Sequence, residues 1–157
     1  MTNDTFIKFD GIDGESADTV HRGAVQVLSW SWGLTATTAS GGGGGSAGKA
    51  TPQELRVVHR YDKASPLLAK TAASGTHLKT AVLTARKAGG AQQEFFKVTM
   101  KDVVITSVSD SDDGTGTTEQ LAMTYGEIDF SYQPQDSAGN LGPEVKFDWN
   151  VKTGKIT

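Results

Sequence analysis

Apolar and polar residues alternate along most of this chain with the period of two that marks half-buried β-strands. The longest such stretch runs from Thr80 to Val104. Ala81, Leu83 and Ala85 alternate with Val82, Thr84 and Arg86, and Phe96, Val98 and Met100 alternate with Lys97, Thr99 and Lys101. Gly89 and Gly90 sit between the two runs, where a tight turn needs residues that accept positive φ, so the stretch reads as one long hairpin. Thr5 to Phe9 places Ile7 and Phe9 on one face. Ala24 to Leu34 places Leu28, Trp30 and Trp32 on one face and Val27, Ser29 and Ser31 on the other. Leu55, Val57, His59 and Tyr61 alternate in a further strand, and Val145, Phe147, Trp149 and Val151 predict the strand with the cleanest single buried face. Between Leu121 and Tyr132 the parity changes. Leu121, Met123 and Tyr125 are odd, whereas Ile128, Phe130 and Tyr132 are even, and the change at Gly126 predicts a β-bulge there.

One helix is predicted. Ser65 suits the N-cap, Pro66 the first helical position, and Gly75 a left-handed end after Ala73. Leu67 and Leu68 are too few to stabilise it alone, so it must lean on the sheet. The expected fold is mainly all-β, an antiparallel barrel or two-sheet wrap with one short flanking helix, in a single domain over residues 1–157.

Two loops break the strand rhythm. Thr35 to Ala50 carries five consecutive glycines, which cannot build a core, and a loop of that length is usually functional or disordered. Ser109 to Thr118, acidic and hydroxyl-rich, most simply joins the two strands of a hairpin.

Composition narrows the function classes. The 157 residues include no cysteine, which excludes disulfides, thiolate metal sites and cysteine nucleophiles. The net charge of -3 and the scattered Lys and Arg residues leave no basic stripe for a nucleic acid. No apolar run approaches the ~18 residues of a membrane span, and the opening MTNDTFIKFDG has neither the charged nor the apolar region of a cleaved leader. The expectation is synthesis in the cytoplasm, no membrane insertion, and any export without a signal peptide.

Candidate chemistry is thin. GGGSAGK from Gly43 to Lys49 satisfies the G-x-x-x-x-G-K spacing of a phosphate-binding loop, but Ala50 stands where a Mg²⁺-holding Ser or Thr is required. The following TPQELRVVHRY reads as strand rather than the helix whose N-terminus should face the phosphates. Asp10, Asp13, Glu15 and Asp18, and again Asp110, Asp112 and Asp113, lack calcium-loop spacing and read as solvated turns. His21, His59 and His77 are far apart, with no paired spacing for a metal. No G-x-S-x-G elbow is present. No catalytic, cofactor-binding or metal residue is assigned, and an enzyme is not expected. A different class, a small β-sandwich module binding carbohydrate or protein through Trp30, Trp32 and Trp149, needs those rings exposed, whereas tryptophan in a strand beside Leu28 is more often core.

Taken together, FIKFDGIDGES, VLSWSWG, GGGGGSAGK, DKASP, ASGTHLKTAVLTARKAGGAQQEFFKV and YQPQDSAGNLGPEVKFDWNV resemble, in order and over nearly the whole chain, the Hcp family, the tube subunit of the bacterial type VI secretion system. Three positions depart from its usual pattern, Pro52 and the pair Tyr125-Gly126. The resemblance implies a β-barrel subunit, similar in fold to phage tail tubes, that closes into hexameric rings. The rings would stack into a hollow tube inside a contractile sheath and be expelled with it. Implied partners are further copies of the chain, the spike protein, sheath subunits and effectors in the lumen. On the same basis Ser29 and Ser31, small and polar opposite the tryptophans, become candidates for a lumen wall that contacts cargo. Thr37, Ser40, Gly41, Gly42, Gly43, Gly44, Gly45 and Lys49 become candidates for a loop that packs on the adjacent ring.

Overall fold

The computed structural model describes residues 3–38, 49–87 and 93–157. Among them are β1 (Asn3–Phe9), β2 (Val25–Ser31), β3 (Leu34–Ala36), β4 (Ala50–Pro52), β5 (Leu55–Arg60), α1 (Ser65–Ser74), β6 (Leu78–Lys87), β7 (Glu94–Asp112), β8 (Thr117–Thr124), β9 (Glu127–Tyr132), β10 (Val145–Asn150) and β11 (Lys155–Ile156). Every ladder is antiparallel. Six strands, in the order β7, β6, β1, β2, β5 and β8, close into a barrel because β8 pairs back onto β7. Closure leaves these strands no open edge. Beyond the barrel, β9 also pairs with β7, and β10 and β11 follow it.

The 19-residue β7 makes this branching possible. Phe96–Lys101 pair with β9, while Val104–Asp112 pair with β8. At the branch both partners turn over. On β7 the buried residues change from Val98 and Met100 to Val103 and Ile105, across Asp102 with a φ of 54°. On the facing chain they change from Leu121 and Met123 to Ile128, across Tyr125-Gly126. The bulge expected at Gly126 is therefore replaced by a break between two strands. Val104 faces Thr124 and Lys101 faces Glu127, three residues on along each strand, so no residue is inserted. The Gly126 N–H is shared between the carbonyls of Lys101 (2.9 Å) and Asp102 (3.2 Å).

A bulge does occur in β2, between Val27 and Ser29. It corrects the expected faces: Val25 and Val27 are core, Leu28 is 53% exposed, and Trp30 returns to the inner side. The last long strand is also less buried than its alternation suggests. Trp149 is buried, Phe147 and Val151 are half-buried, and Val145 is 65% exposed.

The long hairpin forms as β6 and β7, with Leu83 opposite Val98. Its expected turn residues, Gly89 and Gly90, lie outside the described residues. The acidic loop is shorter than its composition suggests, since β7 runs to Asp112 and β8 starts at Thr117. The helix begins differently from the expected Ser65 cap. Ser65 is buried in the first turn, the Asp62 carboxylate accepts the Ala64 N–H (2.9 Å), and the Ser65 hydroxyl accepts the Asp62 N–H (3.1 Å). This reciprocal arrangement does the work of a capping box. Gly75 ends the helix at a φ of 66°, in the left-handed conformation expected. Leu68 is fully buried and Leu67 faces outward, and the helix packs on β7.

Candidate functional site

Of the described candidate residues, Ser31, Thr37 and Lys49 lie at one feature, a short ribbon that leaves the barrel between β2 and β5. Chain entering at Gly33 forms β3, returns as β4 and rejoins the barrel at Leu55. Leu34 faces Pro52, Thr35 faces Thr51, and Ala36 faces Ala50. What reads as loop from Thr35 to Ala50 is thus strand at both ends. Pro52 fits because it closes the short ribbon and does not interrupt β5. All of β3 is exposed. At its outer end the Thr37 N–H (3.1 Å) and the Thr37 hydroxyl (3.3 Å) both reach the Lys49 carbonyl. Ser40 and Gly41, Gly42, Gly43, Gly44 and Gly45 lie outside the described residues. Lys49 leads into a strand and not a helix, as the failed phosphate-loop pattern requires.

Ser29 and Ser31 are both exposed, and their ladder partners on β5 are Val58 and Arg56. Ser31 also lines a cavity of about 440 Å³ with Trp32, Pro52, Gln53, Glu54 and Arg56. The structure therefore brings Ser31 to the root of the ribbon and leaves Thr37 and Lys49 at its far end. The Trp30 and Trp32 rings pack inward against the core, with Trp32 also lining that cavity. Trp30 stacks on Phe96 at 5.3 Å, and Trp32 packs on Phe130 at 4.6 Å while its indole N–H donates to the Tyr125 hydroxyl (2.6 Å). With Trp149 buried as well, the three rings make no exposed platform, which removes the support for a carbohydrate-binding module.

Comparison with known proteins decides the family. Residues 6–132 match the family described as type VI secretion system effector, Hcp. The chain is 40% identical to the protein Hcp1 of Pseudomonas aeruginosa over 97% of both chains. The chain belongs to the Hcp family. Its fold superposes on a solved type six secretion system protein with a TM-score of 0.93, at 31% identity over 99% of this chain and all of that one. It superposes on Hcp1 of Salmonella typhimurium with a TM-score of 0.84, at 32% identity over the whole of both. Hcp proteins are structural tube proteins of the type VI secretion system and not enzymes. No helix among the described residues is long and apolar enough to cross a membrane.

In this Hcp chain the polar clusters considered for chemistry serve as fastenings of the fold. Asp13 pairs with Lys8 (2.5 Å), whose hydrogen bond and charge hold its carboxyl below the usual range. Glu15 accepts the Lys63 N–H (2.9 Å), and Asp112 and Asp113 accept the N–H groups of Gly114 and Thr115. Asp18 meets the Arg86 guanidinium through both oxygens (3.0 and 2.5 Å) and also accepts the N–H groups of Val20 and His21, which depresses its pKa strongly. Arg86 is almost wholly buried beneath this contact and lies 5.0 Å over the Phe6 ring. The histidines are also paired, His21 with Glu94 (2.6 Å), His59 with Glu119 (2.9 Å) and His77 with Asp102 (2.7 Å). Sequence reasoning missed the His59–Glu119 pair inside the barrel. The signal was available, because His59 shares the parity of Leu55 and Val57, and Glu119 that of Leu121 and Met123. Burial, with the neighbouring Asp110 carboxyl, pushes Glu119 up to about 8.

Proposed function

We infer that this chain is the tube subunit of a type VI secretion system, closing head to tail into hexameric rings that stack into a hollow, expelled tube with effectors in its lumen. The observation that carries the reading is the 40% identity to Hcp1 across nearly the full length of both chains, joined to a barrel that superposes on solved members end to end. A cyclic ring uses two different patches on each subunit, so closure is heterologous. The ribbon and the loop it carries, with Thr37, Ser40, Gly41 to Gly45 and Lys49, meet the next ring. Ser29 and Ser31 face the lumen, where small hydroxyls leave room and offer adaptable hydrogen bonds. The spike, the sheath and the cargo complete the set of partners, and the chain leaves the cytoplasm through the machine.

Assembly and export of two variants test the assignment of roles. Deleting Gly41 to Gly45 should spare the rings and abolish long tubes in negative-stain images; long tubes from that deletion rule out the stacking role. Ser31→Gln should form rings yet lower the export of at least one effector, and unchanged export of all of them counts against the lumen placement.

A further inference from the structure

Tyr125 stands at the strand break between β8 and β9, where the barrel closes and the β9 extension departs. Its side chain turns inward, and the residue is only 9% exposed. One phenol oxygen makes two short bonds there. It accepts the Trp32 indole N–H (2.6 Å) and donates its own proton to the Gln53 carbonyl (2.6 Å). Trp32 is the last residue before Gly33 and the outgoing arm of the ribbon, and Gln53 is the first residue after the returning arm. The two ends are also joined directly, by the Gln53 N–H on the Gly33 carbonyl (2.9 Å). The Gln53 side chain covers Gly33 so closely that a Cβ there would meet its Oε1 at 2.8 Å.

We propose that Tyr125 is the positioning residue of the β3–β4 ribbon, tying its entry at Trp32 and its exit at Gln53 to one buried phenol so that the ribbon leaves the barrel in a single direction. A phenol has one proton to give and lone pairs to accept with, and both capacities are used here. Burial raises the Tyr125 pKa above the ordinary tyrosine value, which keeps the donated proton in place. Phenylalanine would fill the same space and leave the Trp32 N–H and the Gln53 carbonyl without this partner. Among the described residues the ribbon's other fixings are a ladder of three residue pairs and the packing of half-buried Ala50 against the core. The tube function inferred above enters only in what the ribbon meets; the anchoring itself does not depend on it.

The test is Tyr125→Phe, with Trp32→Phe as a second variant that removes the indole N–H together with part of the ring that packs on Phe130. Amide exchange is measured at Thr35, Thr37, Thr51 and Gln53, whose N–H groups lie at the hydrogen-bonded positions of the ribbon ladder, and tube length is scored by imaging. The proposal expects at least tenfold faster exchange at the ribbon amides in Tyr125→Phe, faster exchange there in Trp32→Phe as well, and unchanged exchange at Ile7 and Leu83 in the barrel. Unchanged ribbon exchange overturns it, and so does an equal rise throughout the barrel, which would make the phenol a general prop of the core. Shorter tubes together with faster ribbon exchange support the anchoring and the ribbon's contact with the next ring. Faster exchange with tubes of normal length keeps the anchoring and removes the ribbon from ring stacking.

Discussion

His59 and Glu119 face each other inside the barrel, both fully buried, with Nε2 2.9 Å from Oε1. Asp110 is the ladder partner of Glu119 on β7, and Asp62 and Ser65 approach from the helix entry. Glu119 is raised to about 8 in the folded chain from an ordinary 4.5, by burial first and then by Asp110. The folded state therefore holds a proton that the unfolded state has lost, and stability falls as pH rises through that window. His59 is lowered from 6.5 by burial, so its contribution has the opposite sign and is lost as pH falls below 6.5. The two slopes oppose each other below pH 6.5, and only the Glu119 slope remains above it. Urea unfolding at fixed protein concentration should show a loss of about 1–2 kcal/mol between pH 6.5 and 8.5. Glu119→Gln should flatten that interval, and an equal slope in both proteins would place the titrating group elsewhere. The pair was visible in the parity of its strands. Its partnership was not, because 60 residues separate the two positions and only the β5–β8 register joins them.

Among the elements, the connection from Asp10 to Ala24 shows how a segment without regular structure is held in place. The Asp18 carboxylate grips buried Arg86 from β6, and His21 stacks on Phe6 at 4.7 Å while reaching Glu94 on β7. At its root Gly14 lies against the start of β2, where a Cβ would meet the Ala24 carbonyl oxygen at 2.6 Å and Val25 Cγ2 at 2.8 Å. Neither the backbone nor the buried valine can withdraw easily. Gly14→Ala is expected to destabilise the subunit by about 1–3 kcal/mol in denaturant unfolding through overpacking. A melt indistinguishable from the parent would mean that the connection yields freely. Strand positions were legible wherever apolar residues alternate with polar ones. They were misread where apolar residues adjoin, since Val27-Leu28 conceals the β2 bulge and Val103-Val104-Ile105 conceals the turnover of β7 at Asp102. The ribbon was missed because each arm is three residues long, too short to show a periodicity, and one arm is wholly exposed while the other is half-buried at Ala50 and Pro52.

For the whole molecule, closure of the barrel by β8 pairing on both β5 and β7 frees the β9 to β11 extension to continue past it. Alternation along a strand does not say which strands meet, so the barrel class was legible and its closure was not. The candidate roles followed from the family pattern, and the structure adds that Ser31 and the ribbon root line one cavity. The central claim is that this subunit does not act alone. Light scattering on the eluting peak of the purified chain measures that most directly. A mass of about six times the 16.5 kDa subunit, carried by ring-shaped particles, is the predicted result. A monomer at high concentration, with no rings, would contradict it and leave the family likeness as a matter of fold.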